Sequence, residues 1–200
     1  MRVEQFVMAY RAEQDRLRAL LPEGFESLRP VLRINAEVRG EGDTATAYVE
    51  FNTPVAAHGK RGWLNIAHWE SPADPVAVER SGRAVTFRLP FLTITYTGVG
   101  TVGGCPAEKD NDGCFFIDPA LRFVPAESID QNKEYCRCAF AWGFTGQDAW
   151  GESADDRSVP ALPTEVAVRY APQPLTPQNA AAIPCRQVLG SYTVCFERNI

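Results

Sequence analysis

The sequence predicts a mainly β domain of the α+β class, an antiparallel barrel or sandwich with one N-terminal helix, and three observations carry that expectation. Short stretches of alternating polar and apolar residues recur along the chain, punctuated by Gly, Pro, Asn and Asp. Only one stretch has a clear helical period. Of the 200 residues, 45% are hydrophobic, enough to bury a core, and the length suits a single domain over residues 1–200.

Residues 3–10 open the chain as a strand. Residues 12–21 follow as the best helix, with Leu17, Leu20 and Leu21 on one face and Pro22 and Gly24 to stop it. Residues 31–38 set Arg33, Asn35 and Glu37 against Leu32, Ile34, Ala36 and Val38, the pattern of a strand buried on one face. The turn Gly40-Glu41-Gly42-Asp43 leads to a partner strand at 44–51, and 62–69 is another. Residues 76–80 and 83–89 read as a hairpin about Ser81-Gly82, where glycine tolerates the positive φ of a tight turn. Residues 91–97, 114–124, 134–144, 164–170 and 186–196 complete the strands, 178–182 makes one helical turn after Pro177, and 145–163 reads as loop.

A net charge of −5 and a pI near 5.1 argue against nucleic acid or an anionic membrane as the main partner. No stretch is long and apolar enough to span a membrane, and the charged start Arg2-Val3-Glu4 is unlike a signal peptide, so a cytoplasmic protein is expected. In that compartment the six cysteines are read as thiols. Of the 20 basic residues only Lys60, Lys109 and Lys133 are lysines, so amine chemistry has three candidates.

Several motifs read more simply as structure. Residues 98–103 spell G-x-G-x-x-G, but Gly104-Cys105-Pro106 denies the helix that a dinucleotide site needs, which leaves a flexible loop. The acidic run at 108–113 resembles half a calcium loop, yet Pro119 stands where the bidentate Glu belongs. Cys136 and Cys138 share a strand face without the second pair a zinc site requires, so neither a metal nor any other cofactor is expected. His68, beside Trp69, reads as a packed or surface residue.

Two positions carry possible chemistry. Glu50 shares a strand face with Tyr48, and a carboxylate facing a cavity could act as acid or base; the plainer alternative is an exposed strand residue. Lys60 has Arg61 as a cationic neighbour, which lowers an amine's pKa, although His58-Gly59-Lys60-Arg61-Gly62 also reads as a solvated turn.

Three stretches together resemble the acetoacetate decarboxylase family. They are Met8-Ala9-Tyr10-Arg11-Ala12-Glu13 with the helix and Leu21-Pro22-Glu23-Gly24 after it; Ala47-Tyr48-Val49-Glu50 with Thr53-Pro54-Val55 and Gly59-Lys60-Arg61-Gly62-Trp63-Leu64; and residues 172–184 leading into the last strand. The resemblance implies a mostly antiparallel β domain around an enclosed pocket, commonly in a homo-oligomer, and decarboxylation of a β-keto acid through a lysine Schiff base. Glu50 takes the place of the family's glutamate, Arg2 approximates its substrate-binding arginine, and Tyr48 and Trp63 become candidate ligand contacts. The Pro-Lys-Lys segment that carries the family's nucleophile has no counterpart: Glu70-Ser71-Pro72-Ala73-Asp74-Pro75 alone joins the two flanking elements. The expected function is therefore a pocket for a small carboxylate or oxo compound without the usual Schiff-base activity. The alternatives are a lyase that uses Lys60 with Glu50, and an assembly protein acting through an exposed sheet face.

Overall fold

The computed structural model describes residues 1–57, 59–102, 134–144, 147–152 and 173–198. Eleven strands are found among them: β1 (Arg2–Arg11), β2 (Glu26–Ser27), β3 (Val31–Arg39), β4 (Thr46–Ala57), β5 (Lys60–Glu70), β6 (Ala77–Ser81), β7 (Ala84–Leu89), β8 (Leu92–Val102), β9 (Glu134–Phe144), β10 (Gln147–Glu152) and β11 (Gln187–Glu197). They form one sheet in the order β2-β4-β3-β1-β11-β9-β8-β7-β6, with β5 also paired to β4 and β10 to β9. Every described pairing is antiparallel. The mainly β, antiparallel class expected from sequence is the one observed.

The two halves of this sheet pack through a shared apolar core. Phe6 of β1 meets Phe87 of β7 edge-on at 5.3 Å, Tyr10 stacks on Trp142 of β9 at 5.7 Å, and Phe51 of β4 lies 6.0 Å from Phe144. Trp69 of β5 meets Phe91 at 4.9 Å. Burying side chains of this size stabilises the fold by roughly 1.5–3 kcal/mol each. Outside the core, Arg80 of β6 donates both Nη atoms to Glu4 of β1, at 3.2 and 2.7 Å, and clips the far hairpin across the first strand.

Two short helices seal this core. Helix α1 (Gln14–Arg18) is shorter than the 12–21 expected, but Leu17 and Leu20 are buried as their spacing requires. Helix α2 (Pro177–Ala181) has Pro177 in its first turn and a reciprocal cap between Thr176 and Asn179. It ends beside Ile183, whose carbonyl accepts from the buried Tyr10 hydroxyl at 3.3 Å. No helix of the described residues is long and apolar enough to cross a membrane.

Several boundaries differ from the sequence expectation, each for a local reason. β4 runs on to Ala57 instead of ending at Phe51, because Val55 and Ala56 find a second partner in β2. Lys60 and Arg61 belong to β5, so the turn between β4 and β5 shrinks around Gly59, whose φ of +73° suits only glycine well. The hairpin loop is Gly82-Arg83, one residue later than expected, with Gly82 at φ +59°. Residues 98–102 are strand and not flexible loop: β8 pairs with β9 through Val102, and a register shift between Gly98 and Gly100 absorbs one residue. Residues 147–152, expected as loop, pair with β9. The strands expected at 114–124 and 164–170, the acidic run at 108–113, and Lys109 and Lys133 lie outside the described residues.

Candidate functional site

Strand alternation gives β1, β3, β4 and β5 a second face, opposite the apolar core, and its chemistry is polar. β3 contributes Arg33, Asn35, Glu37 and Arg39; β4 contributes Tyr48, Glu50 and Asn52; β1 contributes Gln5. All are buried, from Asn52 at 0% exposed through Glu37 at 1% and Glu50 at 5% to Arg39 at 9%. The expectation that the polar side of β3 faces water is therefore overturned. Both faces of this strand are covered, and the alternation separates an apolar core from a polar one.

β5 completes the face by means of a bulge. Glu50 pairs with His68 and Phe51 with Ala67, but Asn52 pairs with Asn65, so Ile66 is the extra residue. Simple alternation from His68 would send Asn65 to the core side. The inserted residue restores Asn65 and Trp63 to the polar face, while Ile66 and Ala67 both enter the apolar core.

Three donors converge on Glu50. The Tyr48 hydroxyl donates to Oε2 at 2.6 Å, Asn65 Nδ2 to Oε2 at 2.7 Å, and Asn35 Nδ2 to Oε1 at 2.9 Å. Tyr48 in turn contacts Arg39 and His68 through its ring. The Arg39 guanidinium lies 3.6 Å from its ring centroid, and the exposed His68 stacks against it at 5.8 Å.

Behind Arg39 stands Glu37, which receives Arg39 Nε at 2.6 Å, Gln5 Nε2 at 3.0 Å and both Nη atoms of Arg198 at 3.2 and 3.3 Å. Burial alone would raise the Glu37 pKa, but Arg198 and Arg39 outweigh it and hold this carboxyl well below the usual carboxylate range. Burial likewise opposes the Arg39 charge, and Glu37, Glu70 and Glu50 more than compensate. Arg39 also donates to Glu70 at 2.9 Å. The chain Glu37–Arg39–Tyr48–Glu50 thus fixes the last carboxylate through a cation–π contact and a short hydrogen bond.

Beyond Glu50 the face changes character. Arg33, Asn52 and Asn65 form one row across β3, β4 and β5. The Arg33 guanidinium lies 4.2 Å from the Trp63 ring centroid and that of Arg29 lies 5.6 Å from it. Among the described residues, four buried side chains in this region keep polar atoms without hydrogen-bond partners. They are both amide atoms of Asn52, Oδ1 of Asn35, Oδ1 of Asn65, and Nε1 of Trp63. Native proteins rarely leave such atoms unmatched, and where they do a bound water or ligand is the usual reason.

The residues singled out from sequence separate clearly. Tyr48 and Glu50 come together, and Trp63 sits farther along the same buried face. Lys60 pairs with Ala57, seven residues along β4 from Glu50, or about 23 Å at the usual strand rise. Arg2 is exposed, pairs with Glu41 at 3.0 Å, and falls on the opposite side of β1 from Gln5. Asn35, Asn52, Asn65 and Arg33 were not singled out. Asn35 and Arg33 were visible as one side of an alternating strand, whereas nothing in sequence marks the bulge that places Asn65. Between β5 and β6, the lysine-free residues 71–76 form a tight connection: Ser71 exchanges hydrogen bonds with Ala47, and Asp74 with Glu70. The described residues contain no cluster of His, Cys, Asp and Glu able to hold a metal, and neither Cys185 nor Cys195 is in a disulfide.

No model of a protein family and no curated protein matches the sequence. Solved structures do match in fold. The enduracididine biosynthesis enzyme MppR complexed with pyruvate superposes with a TM-score of 0.56 at 11% identity, covering 98% of this chain and 84% of that one. Acetoacetate decarboxylase from Legionella pneumophila gives 0.52 at 12% identity, over 98% and 82%. An acetoacetate decarboxylase-like enzyme from Sphingomonas wittichii RW1 gives 0.53 at 12% identity, over 98% and 87%. The chain therefore has the acetoacetate decarboxylase-like fold.

Proposed function

We propose that this acetoacetate decarboxylase-like chain binds a small carboxylate or oxo compound on the polar face around Glu50, without forming the Schiff base at the position its fold relatives use. The observation that carries this reading is the buried set of amide and indole atoms, unmatched among the described residues, around Glu50, Asn52 and Arg33. An unmatched buried atom of this kind costs about 1–3 kcal/mol, so a polar guest that pairs with it gains free energy. Arg33 places positive charge at one end of the row for an anionic guest. A structural neighbour that holds pyruvate supports the same ligand class.

Reaction by imine formation needs an amine near the carboxylate. The β5–β6 connection has none, and Lys60 stands at the far end of the β4–β5 hairpin from Glu50. With no lysine of the described residues placed beside it, Glu50 serves as a fixed acceptor that orients the guest. The remaining lyase reading, with Lys60 as nucleophile, requires its amine to approach the Glu50 region.

Thermal melts and borohydride trapping with pyruvate and acetoacetate, read by intact mass, test this. Expected is stabilisation by ligand, about 2.7 kcal/mol at a hundredfold excess over Kd, with no covalent adduct. An adduct that vanishes in Lys60→Ala would establish the lyase reading in its place. Neither stabilisation nor adduct would reject both.

A further inference from the structure

We infer that the site selects a small carboxylate bearing a hydrogen-bond donor, a hydroxyl or an ammonium, on the carbon next to the carboxylate, over the matching unsubstituted or 2-oxo acid. This rests on the binding role proposed above and narrows it.

Glu50 sets the orientation of its amide neighbours. Its two oxygens can only accept, so the amide groups of Asn35 and Asn65 that face it must present nitrogen, at 2.9 and 2.7 Å. That fixes which way each amide is turned and leaves the two Oδ1 atoms as the unspent groups, both buried and unmatched among the described residues. Asn52 adds a third oxygen together with its own nitrogen, neither of them matched.

The row has a direction. Asn52 pairs with Arg33 on one side and Asn65 on the other, Glu50 and Asn35 lie two residues away along their strands, and Trp63 lies two residues the other way on β5. One end carries the Trp63 indole N–H, and Arg33, in the row with Asn52, sets its guanidinium 4.2 Å from the Trp63 ring centroid, so the donating groups gather on that side. The other end carries Glu50 and Asn35, and the accepting groups are the Glu50 carboxylate and the Oδ1 atoms of Asn35 and, in the middle row, Asn65. Asn52 in the middle offers both.

An acid with only acceptor atoms satisfies the donating end and leaves three amide oxygens dry. A 2-oxo group does no better, because its oxygen also only accepts. A hydroxyl or ammonium on the neighbouring carbon reaches the accepting end with the proton that those oxygens lack. Matching one otherwise unpaired buried oxygen is worth about tenfold in affinity or more.

The test is calorimetric titration of the native protein with four three-carbon acids: lactate, alanine, propionate and pyruvate. Expected is binding of lactate or alanine at least about tenfold tighter than propionate and pyruvate, with Asn52→Ala bringing the preference below about threefold. Preference for lactate identifies the donor as hydroxyl, and preference for alanine identifies it as ammonium. Propionate or pyruvate binding as tightly as both would overturn this inference while the carboxylate-binding role stands. Failure of all four to bind at about 10 mM would remove that role as well. Should Asn52→Ala not fold, Asn52→Ser takes its place, and the four-acid comparison on the native protein decides by itself.

Discussion

Asn52→Leu should make the ligand-free protein more stable, which is the opposite of what most substitutions at a fully buried position do. The side chain is 0% exposed, and neither its Oδ1 nor its Nδ2 has a hydrogen-bond partner among the described residues. Two buried polar atoms left dry cost about 2–6 kcal/mol together, taking about 1–3 for each. Leucine abolishes that penalty and adds apolar burial, while its tetrahedral branch replaces a planar amide and introduces strain of about 1–3 kcal/mol. The net expectation is a gain of about 2 kcal/mol. In a chain of this size that raises the melting temperature by roughly 4–8 °C. Urea denaturation and thermal melts in ligand-free buffer measure it, with Asn52→Ala as the companion that removes both polar atoms without adding bulk. If both variants lose more than about 1 kcal/mol, the Asn52 amide is satisfied in the folded protein and offers no unmatched atoms to a ligand.

Glu37→Gln should cost about 3–5 kcal/mol near neutral pH, because it leaves buried Arg39 with its 2.6 Å partner uncharged. Since Arg198 and Arg39 overcome burial and lower the Glu37 pKa, its stabilisation is present above the ordinary carboxylate pKa of about 4.3 and is lost as pH falls below it. Urea midpoints between pH 7 and 3 should therefore fall less steeply in the variant than in the native protein, and equal slopes would count against the pairing. Tyr10 behaves in the opposite sense at high pH. Burial raises its pKa, so the unfolded chain releases this proton first and stability declines as pH climbs past about 10. Tyr10→Phe should flatten that alkaline decline while costing about 1 kcal/mol at neutral pH for the lost bond to Ile183.

Much of the fold was legible because local rules and the tertiary structure agree. Alternation in 31–38 and the turn glycines at 40, 59 and 82 mark their elements correctly to within a few residues, since a β face and a positive φ are properties of the local chain. The helix at 12–21 was overestimated because its apolar spacing persists after the backbone has left the helix; Leu20 is buried beyond the last helical residue.

The candidate site was legible only in part. Glu50 and Tyr48 stand two apart on one strand, so sequence alone places them on a shared face, and the structure joins them there by a 2.6 Å bond. The resemblance pointed to Arg2, and the neighbouring cation to Lys60, yet the tertiary structure leaves Arg2 at the surface and Lys60 at the far end of a long hairpin.

Sequence by itself determined the alternation of faces and hence the β class, together with the scarcity of lysine that bears on any amine chemistry. Only the tertiary structure decided that the polar face of β3 and β4 is buried, which alternation cannot reveal because it distinguishes two sides without saying which meets water. It also decided the partners of Glu50. A single inserted residue, Ile66, returns Asn65 to the polar face, and a bulge arises from the pairing of two strands, a relation that neither strand's sequence contains.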